Sequence, residues 1–167
     1  MRPLAALFAF LILSALSTCS AVGSEYIDIK EVTMRLDGDN ATFELNYTLD
    51  TFTRFYVSAL GCRYLEPELI SFLGEYRDVM LIKADTEGAT LQVVGAGKYN
   101  SGYYLFDSMP FGSKDKPLKE SIARFSVVYP SGRLRTFYNV TATQNVFSQA
   151  AEPLVILPGQ KAKANNK

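Results

Sequence analysis

The chain has 167 residues, 17 of them basic and 17 acidic, for a formal net charge of +0. A balanced charge gives no electrostatic hold on a polyanion, so nucleic acid is set aside as a partner. Histidine is absent altogether, which removes Ser-His-Asp and Cys-His mechanisms, zinc sites built on Cys and His, and the ordinary physiological pH switch.

Residues 1–24 carry one charge, Arg2, then an apolar run over residues 4–16 and a stretch of small residues through Cys19 to Ser24. Positive end, apolar middle and small-residue end, in that order, predict an N-terminal hydrophobic signal helix. The run is about 13 residues, within the span of a signal and short of the roughly 20 of a membrane helix. Two rivals stand beside a cleaved signal. Lack of charge between Pro3 and Ser24 lets an uncleaved segment anchor the chain across a thin bilayer. Leu16-Ser17-Thr18-Cys19 has the form of a lipobox, departing from it at Thr18, which makes Cys19 a candidate for lipidation. All three place the rest of the chain outside the cytoplasm, secreted or tethered at the cell surface.

Loss of such a segment leaves roughly 145 residues, enough for one domain without disulfide or metal support. There are two cysteines. If Cys19 is removed or lipidated, Cys62 has no partner in the chain and is either packed as a small apolar residue or left for intermolecular pairing.

From Glu25 the pattern is one of short strands. Ile27 and Ile29 alternate, then Val32, Met34 and Leu36, and the change of phase predicts a bulge. A turn at Asp37-Gly38-Asp39-Asn40 leads to Phe43, Leu45, Tyr47 and Leu49 on one face, with Thr42, Glu44, Asn46 and Thr48 on the other. Phe55, Val57 and Ala59 read as a third strand. Residues 65–74 read as a short helix, with Pro67 in its first turn beside Glu66 and Glu68, and Leu69, Ile70 and Leu73 on a shared face.

Strands resume over residues 79–83, turn at Asp85-Thr86-Glu87-Gly88 and return through Leu91, Val93 and Val94. Gly95-Ala96-Gly97 leads to Tyr103-Tyr104-Leu105-Phe106, apolar on both faces and therefore central in its sheet. A hairpin follows, residues 121–129 and 133–141 about Pro130-Ser131-Gly132, in which Leu134, Thr136, Tyr138 and Val140 share a face. Leu154-Val155-Ile156-Leu157 reads as a last edge strand, and the composition of the basic tail after it predicts disorder.

Seven to nine short strands and one inserted helix predict a mainly β domain, an antiparallel β-sandwich of immunoglobulin-like architecture. The domain spans residues 25–150, with 1–24 the signal or anchor and 151–167 the edge segment and tail. Likeness to immunoglobulin domains is one of architecture alone, since tryptophan is absent and no Cys…Trp…Cys spacing exists.

Three acceptor triplets mark Asn40, Asn46 and Asn139 as candidate glycosylation sites. Tyr99, Tyr103, Tyr104 and Phe111 form an aromatic group among Lys98, Asn100 and Asp107, suited either to filling a core without tryptophan or to a protein or carbohydrate partner. Other motifs fail on chemistry. Gly95-Ala96-Gly97-Lys98 lacks the first glycine of a phosphate loop and has Tyr99 where Ser or Thr belongs. Asp37-Gly38-Asp39-Asn40 lacks the closing glutamate of a calcium loop, and Ser113-Lys114-Asp115-Lys116 lies in a polar loop rather than opening a helix. The expectation is therefore a non-enzymatic exported or cell-surface domain with a binding, adhesion or envelope role and without cofactor or metal. A small extracytoplasmic hydrolase using carboxylates, acting on carbohydrate, is the alternative.

Overall fold

A computed structural model describes residues 26–115, 117–118 and 120–150. The expected signal or anchor, Cys19, and the edge segment and tail at 151–167 lie outside them. The described chain is mainly β, with two sheets. In chain order it runs β1 (Ile27–Asp37), β2 (Asn40–Leu49), α1 (Thr51–Leu60), a 3-10 turn (Cys62–Leu65), α2 (Glu66–Phe72), β3 (Asp78–Ala84), β4 (Gly88–Val94), β5 (Gly97–Asn100), β6 (Tyr103–Phe106), β7 (Ile122–Val128), β8 (Leu134–Val140) and β9 (Val146–Gln149).

Six strands form one sheet in the order β3-β4-β2-β1-β7-β8, and three form a second in the order β5-β6-β9. The expected bulge is present, a register shift between Ile29 and Glu31 where β1 pairs with β2. Neighbours are antiparallel except for β1 and β7, which are parallel. The expectation of a wholly antiparallel arrangement is corrected there. Alternation along a strand fixes which side chains face the core, but carries no information about the direction of a partner 90 residues away.

Alternation on β2 places Phe43, Leu45 and Tyr47 in the core, where they meet Val32, Met34 and Leu36 of β1, Leu91 and Val93 of β4, and Phe125 and Val127 of β7. Leu65, Leu69 and Leu73, four residues apart, bring α2 onto the same core. The small sheet joins it through Phe106 and Val146. The Tyr47 hydroxyl reaches the Asp85 carbonyl at 2.7 Å and the Gly88 carbonyl at 3.1 Å, so β2 is tied to the β3–β4 turn by a buried polar end. Burial raises the phenol pKa.

Residues 51–60 are a helix rather than the expected third strand, and the single inserted helix becomes two with a 3-10 turn between them. The sequence supports the change at both ends. Asp50 caps α1, its carboxylate accepting from the amides of Phe52 at 2.8 Å and Thr53 at 3.1 Å. Gly61, at φ +90, ends it. The aromatic and β-branched composition resembles a strand, but the buried residues are Thr53 and Val57, four apart on one helical face.

On β8 the single face expected for Leu134, Thr136, Tyr138 and Val140 is also corrected. Leu134 and Tyr138 are exposed, while Phe137 stacks on Phe125 with centroids 6.0 Å apart. Asn139 takes φ +53, and Val140 beyond it is buried. Cys62 is free and half-buried at the start of the 3-10 turn, against the core.

Candidate functional site

The aromatic group of residues 99–111 divides between surface and interior. Phe111 is core, 3% exposed, stacked on Phe72 at 4.9 Å and edge-on to Phe125 at 5.8 Å, so it is withdrawn from any binding surface. A short ladder holds it there: the Phe111 amide donates to the Thr141 carbonyl at 2.9 Å, and Pro110 pairs with Ala142.

The remaining three belong to the small sheet. β5 and β6 are joined through Ser101 and Gly102, both at positive φ, the two-residue turn that matches the twist of a hairpin. Register then sorts the side chains, because residues directly opposite share a face. Gly97 and Tyr99 pair with Phe106 and Tyr104, which pair in turn with Val146 and Ser148. This is the core side, although Tyr99 is 65% exposed where it overhangs the end of the sheet, its ring edge-on to Tyr104 at 5.5 Å.

The other face carries Tyr103 and Leu105 from β6, Lys98 and Asn100 from β5, and Phe147 and Gln149 from β9. Tyr103 and Phe147 meet with centroids 6.1 Å apart at 80°. They are 44% and 65% exposed, and Lys98 pairs with Asp107 at 2.6 Å beside them. β6 is central, as its composition implied, but its outer face is open to solvent rather than covered.

Phe147 escaped the sequence reading because β9 is four residues long with Ser148 as one of its two buried positions. The Asn100-Ser101-Gly102 turn signal could have marked the β5–β6 hairpin.

A second exposed apolar surface was not anticipated. α1 turns Phe52, Phe55 and Leu60 outward at 72%, 71% and 70% exposure, with Tyr56 and Tyr64 beside them. Phe52 lies 5.3 Å from Tyr56, Tyr56 6.2 Å from Tyr64, and Tyr64 6.4 Å from Tyr26. The Tyr26 hydroxyl donates to Glu68 at 3.3 Å. Partial burial and the Glu68 carboxylate push the phenol up to about 12.

Between the start of β1, α2 and the segment leading into β7 lies a groove of about 580 Å³. Leu69, Phe72 and Ile122 supply apolar walls, and Asp28, Glu68, Asp115 and Glu120 bring carboxylates to its lining. Lys30, also on the lining, pairs with Asp28. The carboxyl groups of Asp50 and Asp85 are held below their usual range elsewhere, at the α1 cap and in the β3–β4 turn, by hydrogen bonds from the Thr53 hydroxyl and from backbone amides. Among the described residues no group of three or more His, Cys, Asp or Glu side chains is placed to hold a metal ion.

Of the acceptor asparagines, Asn46 and Asn139 are exposed on β2 and β8. Asn40 is half-buried, and its side-chain oxygen accepts from the Gly95 amide at 3.0 Å. Gly97, in the rejected phosphate-loop segment, packs against the Phe106 ring and donates its amide to the Asp39 carbonyl at 2.8 Å. No family model, curated protein or solved structure matches this chain.

Proposed function

We propose that the chain is an exported, non-enzymatic recognition domain at the cell surface that binds a protein or carbohydrate through the outer face of the small sheet. The observation that carries this reading is the Tyr103–Phe147 pair, two large exposed rings in contact, with Tyr103 set between Asn100 and Gln149 across the register. Rings held on paired strands cost little entropy to immobilise and offer flat apolar area, while neighbouring amides supply directional hydrogen bonds. Tyr99, overhanging the sheet end, extends the surface.

The architecture in this proposal is a sandwich of immunoglobulin-like form. Its support is the common core to which Phe106 and Val146 of one sheet and Phe43 and Leu91 of the other contribute. Export rests on the apolar N-terminal segment, and the exposed acceptors Asn46 and Asn139 suit a glycoprotein. Binding of the labelled protein to intact cells of its source, wild type against a Tyr103→Ser, Phe147→Ser double variant, tests the assignment.

A second reading, hydrolysis by carboxylates, is favoured by the acidic lining of the groove beside α2. Turnover of a glycoside panel that is lost in Glu120→Gln would support it, and a chain inert on that panel would remove it.

A further inference from the structure

The outward face of α1 has no role in the reading above, and it is a contiguous apolar band. Five large side chains, Phe52, Phe55, Tyr56, Leu60 and Tyr64, lie open to solvent in a stretch of helix and 3-10 turn whose buried members are few. An isolated exposed aromatic is ordinary, but a band of this kind marks an interface. We propose that this face rests on a phospholipid bilayer, in the interfacial layer, beside the point where the N-terminal apolar segment enters the membrane. The proposal rests on that segment being retained as an anchor.

Three features select lipid over another occupant. First, the band runs to the origin of the described chain: Tyr64 touches Tyr26, and the apolar run ends at Leu16, ten residues earlier. Ten residues span at most about 35 Å when extended, so an inserted segment keeps the Tyr26 end of the band within reach of the membrane. Second, the composition is that of an interfacial element. Residues 51–65 contain Phe, Leu and Tyr with two arginines, Arg54 and Arg63, and no carboxylate. Tyrosine and arginine place an apolar body in the acyl boundary and a polar tip among headgroups. Third, three nearby acids are already engaged. Asp50 caps the helix, Glu87 pairs with Arg54 at 3.3 Å, and Glu68 accepts from Tyr26.

The test uses the full chain reconstituted into phosphatidylcholine vesicles containing phosphatidylglycerol. Cys19 and Cys62 are changed to serine, and an environment-sensitive fluorophore is attached through Phe55→Cys, Leu60→Cys or, as reference, Phe147→Cys. Docking predicts a blue shift and several-fold stronger quenching by nitroxide-bearing lipid at 55 and 60 than at 147. Labels at 55 and 60 as open to aqueous iodide as the label at 147, in protein that floats with the vesicles, would overturn the docking while leaving the anchor intact. Protein that does not float overturns the anchor reading and the docking with it. Shielding of 55 and 60 in lipid-free protein would assign the face to a second copy if the mass is dimeric, and to the chain's own apolar segment if it is monomeric; either result rejects the bilayer.

Discussion

The rings of Tyr103 and Phe147, 44 residues apart in sequence, meet edge to face on the solvent side of the small sheet, 6.1 Å between centroids. Phe111, only eight residues from Tyr103, lies instead in the core at 3% exposure. Phe111→Ala is therefore expected to cost about 3–5 kcal/mol, the range for emptying a buried phenylalanine site. Tyr103→Ala and Phe147→Ala should each cost under about 1 kcal/mol, the scale of an exposed cross-strand pair. Urea unfolding of the three variants checks this contrast, which separates the residues that build the fold from those available to a partner.

The close seating of the small sheet can be tested at Gly97. A methyl group there would come within 2.8 Å of the Phe106 ring, which is buried in the core, and close-packed interiors give little room to move aside. Gly97→Ala is expected to destabilise by about 1–3 kcal/mol. Proteolysis of this variant should begin in residues 97–106 if the small sheet is the part that loosens.

Acid stability should depend on Asp50. Hydrogen bonds from the Thr53 hydroxyl and the amides at the α1 start lower its pKa in the folded state. A lowered pKa means stability that is present above the ordinary carboxylate range and lost as pH falls through the folded value. Asp50→Asn keeps an oxygen for the cap but cannot titrate, so thermal unfolding of this variant between about pH 5 and 2 should fall less steeply than wild type.

Tyr26 predicts the opposite limb. Its pKa is pushed up to about 12, by burial first and by Glu68 second, so its contribution is complete below the ordinary tyrosine value of about 10 and is lost as pH rises through 12. Tyr26→Phe should weaken the alkaline decline, with ultraviolet phenolate absorbance and denaturant midpoints measured on the same samples.

Much of the large sheet was legible because its strands obey simple patterns. Phe43, Leu45 and Tyr47 alternate without interruption, the Asp85–Gly88 turn has its Asx residue in place, and Pro130-Ser131-Gly132 separates two strands of equal length. α1 misled because Phe55, Val57 and Ala59 alternate while the decisive signals, Asp50 as cap and Gly61 as stop, lie outside that window. The aromatic surface was legible as a cluster but not as a face. Which of Tyr103, Tyr104 and Phe111 points outward depends on the β6–β9 register and the Pro110–Ala142 bridge, long-range pairings that local composition does not encode.

Glycosylation should discriminate among the acceptors. Asn46 and Asn139 are exposed, whereas the Asn40 side chain is engaged with the Gly95 amide. In a glycosylating host, peptide mapping after enzymatic deglycosylation should find modification at Asn46 and Asn139 and an unmodified Asn40.

Recognition through the outer face of the small sheet can be read out by cell binding. Fluorescently labelled wild-type protein is expected to bind intact cells of its source saturably, and the Tyr103→Ser, Phe147→Ser variant to lose binding by roughly tenfold or more, as loss of two aromatic anchors implies. Equal binding by both proteins, with the variant folded by circular dichroism, would exclude recognition through that face.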